Sequence, residues 1–393
     1  MLSDKKATEW LESIGRSPRF SRYLNIALLL FLLSFFFLDS SKYRNNIYYA
    51  LFAFPALVFA VAAVWRKDFG PCVFVLLVYF LGGLVAQWLA GDAVIGLFKH
   101  QVYLLLLLCG LTLCVEQSVF FKRAALVYVG VCAVFACVAF YKWQYMFGAS
   151  DAFPRITLYA AAANPVHASL MILVGWVGFW MIYALPRLLE RGRFAYLAGF
   201  CLMLGVAFVV CLVFQSRSAL LGLLAAVGAW LVLGRERGLS LLLVGVLIFL
   251  VMATGAYEAL LSRGGSYRVE IWQDAITRLH EDCSWIAGCA QTGNSLYLGQ
   301  FHHAHSAYLS ILVDTGLLGA IPFITFAGIY LILGVKTRSP WFMVSLVGWA
   351  GVIASSNGLV DSPRPLWIYF WLPTLMALLD YRRQPKAQGI AAL

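Results

Sequence analysis

The amino-acid sequence predicts an all-α, polytopic integral membrane protein with about twelve transmembrane helices. Of its 393 residues, 62% are hydrophobic and only 12% are charged, whereas soluble domains carry charge at about a quarter of their positions. Apolar runs follow one another with short polar breaks, which leave no room for a water-soluble domain of usual size. The runs lie at about 22–39, 46–65, 71–90, 102–116, 124–141, 166–186, 194–214, 218–233, 239–256, 306–334, 341–356 and 366–380.

The basic residues predict how the chain is oriented. The stretch up to about Arg22 is polar and basic and leads into an apolar run without a clear cleavage site, as in a retained signal anchor. With this end inside, every inside break is basic, and about 19 of the 29 Lys and Arg residues face the cytoplasm. The net charge of +11 therefore reflects topology, not a nucleic-acid partner. We expect one transmembrane domain, 1–393, with cytoplasmic termini and outer loops at 257–305 and 142–165.

The remaining basic residues and all six histidines fall on the extracytoplasmic side. This placement opposes the usual bias, so it predicts an outer site for an anionic ligand. The alternative is a set of snorkelling and solvated side chains without a common purpose. The residues are Lys42, Arg44, Lys99, Lys142, Arg155, Arg217, Arg263, Arg268, Arg278 and Arg364, with His100, His167, His280, His302, His303 and His305.

The long outer segment, 257–305, contains a predicted amphipathic helix. Val269, Trp272, Ile276 and Leu279 recur at helical spacing, which favours a helix lying on the membrane surface. Asp274 and Arg278 are four residues apart and can pair on another face. Cys283 and Cys289 lie in the same segment, where an oxidising compartment would allow a disulfide; two free or buried thiols are the alternative.

Arginines at two places suit phosphate recognition. Gln215, Ser216 and Arg217 form a polar break with almost no loop, which forces Arg217 to the outer membrane surface. A guanidinium presents a planar fork that matches phosphate. Arg263 and Arg268 flank a glycine pair, and Arg268 lies on the apolar margin of the predicted helix. Snorkelling for Arg217 and solvation for Arg263 are the alternatives.

The histidine cluster precedes the tenth apolar run. His303 and His305 could share a metal ion, but a third or fourth ligand at a familiar spacing is missing. If Ser306 caps the following helix, the histidines lie at its positive end, where an imidazole tends to stay neutral and can accept a proton.

Asp314 lies about nine residues, or roughly 13 Å, inside the same run. A carboxylate at this depth is either functional or paired with a polar residue of another helix.

The second half of the chain, residues 155–320, resembles the O-antigen ligase and polymerase family of bacterial inner membranes. His305 and Ser306, nine further residues and then Gly316-Leu317-Leu318-Gly319 resemble the ligase signature, although Ala320 replaces its usual Thr. Tyr308 and Leu309 also fit the pattern. The stretch 215–219 is similar to the family's arginine motif, and the long loop lies where the family has its large periplasmic segment.

This resemblance implies a fold like that of GT-C type glycosyltransferases and an inner-membrane enzyme with a periplasmic site. The implied reaction transfers an O-antigen glycan from undecaprenyl pyrophosphate to a sugar hydroxyl of the lipid A core, with inversion and without metal or any other cofactor. His305, or else His303, is then the base. Arg217 and Arg268, followed by Arg155 and Arg263, bind the pyrophosphate, and Ser306, Tyr308, Asp314 and Gln215 are supporting residues.

Several other functions use similar features. An O-antigen or exopolysaccharide polymerase uses the same carrier, and the histidine signature favours the ligase over it. A protein-directed oligosaccharyltransferase of the same superfamily ordinarily has an additional C-terminal periplasmic domain, which we do not expect in this chain. A multi-pass transporter is the alternative from another class, but neither an internal repeat nor paired broken helices are evident. The expected partners are the carrier-linked glycan, the core oligosaccharide and membrane lipids.

Overall fold

The computed structural model describes residues 17–57, 70–91, 93–116, 118–148, 154–234, 267–289, 296–355 and 358–383, with isolated helical positions between 238 and 252. The secondary-structure elements of these ranges are all helices, which confirms the all-α class. In chain order the helices are α1 (Pro18–Phe37), α2 (Ser41–Asn46), α3 (Gly70–Leu89), α4 (Val94–Glu116), α5 (Ser118–Gly148), α6 (Pro165–Phe179), α7 (Leu185–Arg191), α8 (Arg193–Val213), α9 (Arg217–Leu233), α10 (Arg268–Glu281), α11 (Ala307–Thr337), α12 (Pro340–Gly351) and α13 (Leu372–Arg383).

Six of the described helical segments are long and apolar enough to cross a membrane. They are Pro18–Phe37, Val94–Val115, Val119–Met146, Pro165–Arg191, Arg193–Val213 and Ala307–Thr337. Val73–Leu89, Arg217–Leu233 and Pro340–Ala354 are shorter apolar helices. The protein is thus a polytopic membrane protein. The number of about twelve stays a prediction, because much of run 239–256 and part of run 46–65 lie outside the described residues.

Polar side chains cap the helices where the sequence breaks its apolar runs. Ser17, Asn164, Ser216 and Ser306 each accept a hydrogen bond from a backbone N–H in the first turn of the helix that follows. Such caps satisfy donors that have no partner within the helix. The predicted cap at Ser306 is therefore confirmed, and Arg217 and His305 lie immediately beside capped helix starts.

Close helix packing depends on glycines at two crossings. Gly82 of α3 lies against the Leu318 carbonyl of α11, and Gly222 of α9 lies against the Val347 carbonyl of α12. A side chain at either position would collide with the facing backbone. Small residues of this kind allow helices to approach closely in a membrane, where the hydrophobic effect contributes little to their association.

One boundary differs from the sequence interpretation. Helix α5 runs to Gly148, so residues 142–148 continue a helix. Helix α10 forms where the amphipathic pattern indicates, and Arg278 pairs with Asp274 at 3.1 Å. Arg263 and residues 257–266 lie outside the described part of the chain.

Helix α10 has a second apolar side, which the sequence interpretation did not name. Ile271, Ala275 and Leu279 are fully buried, whereas Val269 and Ile276 are 59% and 40% exposed. The helix carries apolar residues on two sides, and the side that includes Ala275 packs against Ala304 and Val313. A pattern of spacing alone cannot decide which of two apolar sides faces the protein.

Helix α11 is interrupted at Gly316, where φ is 55° and ψ is −154°. This region of backbone conformation is essentially restricted to glycine. An interruption leaves backbone groups without their usual helical partners, which is costly in an apolar surrounding. The residues around Gly316 therefore need partners from elsewhere in the chain.

A disulfide-closed loop, residues 283–289, supplies these partners. Cys283 and Cys289 are bonded to each other, which decides the question that the sequence leaves open. The loop exchanges three backbone hydrogen bonds with α11: Leu317 N to Trp285 O (2.9 Å), Leu318 N to Ile286 O (3.1 Å) and Cys289 N to Val313 O (2.7 Å). The loop thus completes the backbone hydrogen bonding of the broken helix.

Replacing Gly316 with alanine is expected to destabilise the protein by about 1–3 kcal/mol, because alanine is strained at this φ and ψ. Its Cβ would also meet the Ile286 carbonyl oxygen at 2.5 Å. Thermal unfolding of the purified protein measures the change.

Gly328→Ala is the matched control in the same helix. A Cβ there meets nothing within 4 Å, and alanine favours a helix over glycine by about 0.5–1 kcal/mol. A Gly316→Ala protein as stable as the wild type would contradict the role assigned to this break.

Candidate functional site

One group of candidate residues lies where α8 ends and α9 begins. Gln215 is buried with a positive φ of 46°, so the chain turns sharply before Ser216 caps α9. Arg155 Nε donates a hydrogen bond to the Phe214 carbonyl at 3.3 Å. The structure thereby brings Arg155, from the preceding outer segment, to the turn that carries Arg217. We call Arg155 and Arg217 the arginine pair.

The second group is formed by His303 and His305. Their rings are 3.9 Å apart between centroids, and the backbone N–H of His305 donates to Nδ1 of His303 at 3.2 Å. His305 has a φ of 51°. Trp272 of α10 holds the segment in place, because its indole N–H donates to the Ala304 carbonyl at 2.9 Å. We call these two residues the histidine pair.

Burial and nearby cations keep the histidine pair neutral. Burial lowers the pKa of His303 to about 4, and the charges of His305, Arg364 and His302 act in the same direction. Burial also lowers the pKa of His305, and the positive charge of Arg268 adds to this effect. Both imidazoles are therefore neutral at pH 7, the state in which an imidazole can accept a proton.

Further polar residues form a second group, which acts on the histidine pair through the charge of Arg364. Arg364 pairs with Asp361 at 2.6 Å, and Asp361 lies 4.0 Å from Nδ1 of His100. His167 Nδ1 lies 3.1 Å from the Tyr369 hydroxyl. Arg364 interacts electrostatically with both His303 and His167. The sequence interpretation gave no specific role to Arg364 or Asp361. The predicted extracytoplasmic position of Arg364, which opposes the usual bias for arginine, was the signal that could have identified it.

Arg268 is the candidate arginine whose positive charge acts on His305. The Tyr308 hydroxyl donates to the Trp349 carbonyl at 2.6 Å, so it ties α11 to α12. Among the residues that the structure describes, no group of three or more His, Cys, Asp or Glu side chains is arranged to hold a metal.

Asp314 faces a small cavity of about 40 Å³ between helices. Tyr79, Gln87, Gln101 and Thr315 also line this cavity. Asp314 interacts electrostatically with Tyr297 of the outer segment, where burial and then Asp314 raise the pKa of the Tyr297 hydroxyl to about 12. Polar residues of α3 and α4 thus surround Asp314, as expected for a carboxyl group at this depth.

Comparison with characterised proteins gives a relative that matches along most of its length. The chain is 27% identical over 371 residues to the O-antigen ligase of Pseudomonas aeruginosa, and the match covers 87% of this chain and 85% of the relative. This similarity supports membership of the O-antigen ligase family. No family model matches the chain, and no solved structure matches it either.

The ligase-family signature corresponds to one structural unit in this chain. It begins at His305, continues through the cap at Ser306 and reaches the interruption of α11 at Gly316. The disulfide-closed loop binds the end of this unit and α10 binds its beginning. The residues that resemble the signature therefore form a segment held at one end by α10 and at the other by the disulfide-closed loop.

Replacing Arg268 with glutamine is expected to raise the pKa of His305 toward its ordinary value of 6.5, because a neighbouring positive charge is lost. The pH dependence of His305 modification by diethyl pyrocarbonate, followed by mass spectrometry, measures this pKa. The midpoint for Arg268→Gln should lie at higher pH than that of the wild type.

Arg268→Lys is the control, because it keeps the charge and should keep the lower midpoint. An unchanged midpoint in Arg268→Gln would show that Arg268 does not act on His305.

Proposed function

We propose that this protein is an O-antigen ligase that transfers a glycan from undecaprenyl pyrophosphate to a sugar hydroxyl of the lipid A core. The observation that carries the proposal is a neutral histidine pair beside Arg268, at the residues that resemble the ligase signature. The full-length similarity to a protein named O-antigen ligase supports the same reaction. The enzyme is then a glycosyltransferase acting on lipid-linked substrates.

Arginines stabilise the leaving group in this proposal. Negative charge develops on the pyrophosphate as the glycosidic bond breaks, and fixed cations lower the barrier when they meet that charge. Arg268 lies beside the histidine pair, and the arginine pair is held by the turn between α8 and α9. Arg263 is assigned the same role from the sequence alone. The reaction then needs no metal.

His305 is the proposed base. The neutral His303 accepts a hydrogen bond at Nδ1, so its proton is on Nε2 and neither nitrogen is free to take another proton. Within the part of the chain that the structure describes, no hydrogen bond to the His305 ring is present, and its lowered pKa keeps it neutral. It removes the proton of the acceptor hydroxyl while the oxygen attacks the anomeric carbon. One displacement inverts this carbon and forms no covalent enzyme intermediate.

The proposed location follows from the predicted topology. With both termini in the cytoplasm, the capped starts of α9 and α11 lie on the periplasmic side of the inner membrane. Residues 1–393 then form one transmembrane domain of about twelve helices with periplasmic loops at 257–305 and 142–165. A site at the outer leaflet can receive two lipid substrates directly from the membrane.

Purified protein supplied with carrier-linked glycan and lipid A core should join the two, also in the presence of a chelator. His305→Ala should lower kcat by about 10²- to 10⁴-fold, the contribution of a positioned base. Electrophoresis of the glycolipid product measures the transfer.

His280→Ala is the matched control, because His280 is an exposed histidine of the outer segment. It should retain activity. Full activity in His305→Ala, or loss of activity with the chelator, would contradict the proposed mechanism. If the protein instead lengthens the carrier-bound glycan and leaves the core bare, it is a polymerase.

A further inference from the structure

Two arginines act electrostatically on the histidine pair, and the proposed function uses only one of them. Arg268 acts on His305, whereas Arg364 acts on His303 and also on His167. The two arginines come from distant parts of the chain, the start of α10 and the segment before α13. The fold therefore brings both charges within range of the histidine pair.

The backbone holds Arg364 rigidly. It lies between Pro363 and Pro365, each of which has a fixed φ, and a residue that precedes proline is itself restricted. Both prolines are buried. The Arg364 carbonyl accepts a hydrogen bond from Trp367 N at 2.9 Å. This bond fixes the residue to the start of the helical segment Trp367–Trp371, which leads into α13.

The side chain of Arg364 is both oriented and accessible. Its Nη1 lies 2.6 Å from Asp361 Oδ2, while 54% of the side chain remains exposed. A guanidinium has five N–H donors, so one contact with a carboxylate leaves donors for a ligand. An ion pair this exposed contributes at most about 1 kcal/mol to stability. Stability alone is therefore a weak reason for this arrangement.

The charges near the histidine pair favour an anion. Asp361 offsets part of the charge of Arg364, but Asp361 lies toward His100 at 4.0 Å. At His303 and His167 it is the positive charge of Arg364 that acts. Since Arg268 acts on His305 as well, two positive charges and neutral imidazoles favour an anionic ligand here.

We propose that Arg364 binds a phosphate group of one of the two glycolipid substrates, and that Asp361 is a positioning residue that orients its guanidinium. The inference rests on the proposed function and adds a binding residue to it. The phosphate belongs either to the carrier diphosphate or to a phosphorylated core sugar. Both present the oxygen geometry that a guanidinium fork matches.

Steady-state kinetics of the full-length protein in lipid nanodiscs test the inference, with the concentration of each substrate varied in turn. Arg364→Ala should raise KM for one substrate about 10- to 100-fold, as expected for lost hydrogen bonds to a charged group. Arg364→Lys should recover only part of the affinity, because an ammonium lacks the planar fork. Arg187→Ala is the matched control, an exposed arginine of α7 that donates to the Tyr183 carbonyl.

The two substrates give distinguishable results. A higher KM for the carrier-linked glycan, with weaker inhibition by inorganic pyrophosphate, assigns the diphosphate to Arg364. A higher KM for the core lipid that disappears when the core is dephosphorylated assigns the core phosphate. Unchanged KM values for both substrates in a folded Arg364→Ala protein, or a fall in kcat alone, would overturn the inference.

Asp361→Asn tests whether Asp361 positions the Arg364 guanidinium or only stabilises the protein. It should raise the same KM by a smaller factor, and its effect should disappear when Arg364 is already alanine. Equal effects of Asp361→Asn in the presence and absence of Arg364 would contradict the positioning role. A wild-type protein that transfers no glycan would refute the proposed function itself, whereas an active wild type with an unaffected Arg364→Ala protein refutes only this inference.

Discussion

Every backbone polar group in an apolar surrounding needs a hydrogen-bond partner, and the fold depends on how this chain meets that requirement at its helix breaks. Ser216 and Ser306 cap α9 and α11, and the disulfide-closed loop completes α11 at Gly316. The candidate functional residues lie at these same places. Arg217 follows one cap and His305 precedes the other, so the partners that stabilise the helix ends also fix the direction of these side chains.

The electrostatics around the histidine pair follow from this placement. Burial and cations act together on the histidine pair, and both favour the neutral imidazole. A protonated histidine could not act as the base, because its ring already carries the proton that a base must accept. The same cations attract the phosphate of a lipid carrier. A single arrangement of charge thus serves both parts of the proposed reaction, binding the leaving group and keeping the base available.

Much of the fold could be predicted from the sequence, because a bilayer permits few structures and the apolar runs are long. Local features could also be predicted, such as the cap at Ser306 and the pairing of Asp274 with Arg278. The side of α10 that packs against the protein could not be named from the sequence, since that helix has apolar residues on two sides. The proximity of Arg364 to His303 was also hidden, because it depends on how segments about 60 residues apart pack. The assignments of Arg217, Arg268 and His305 to roles in catalysis stay predictions.

The contact between the disulfide-closed loop and α11 consists of backbone groups, with Gly288 and Gly316 directly opposed. Recognition through main-chain atoms imposes a shape and places little demand on the identity of the other side chains. Among related chains, the loop should therefore tolerate varied residues at positions such as Trp285 and Ile286. Change at either opposed glycine should be rare, or accompanied by change at the other, so that the two positions evolve as one.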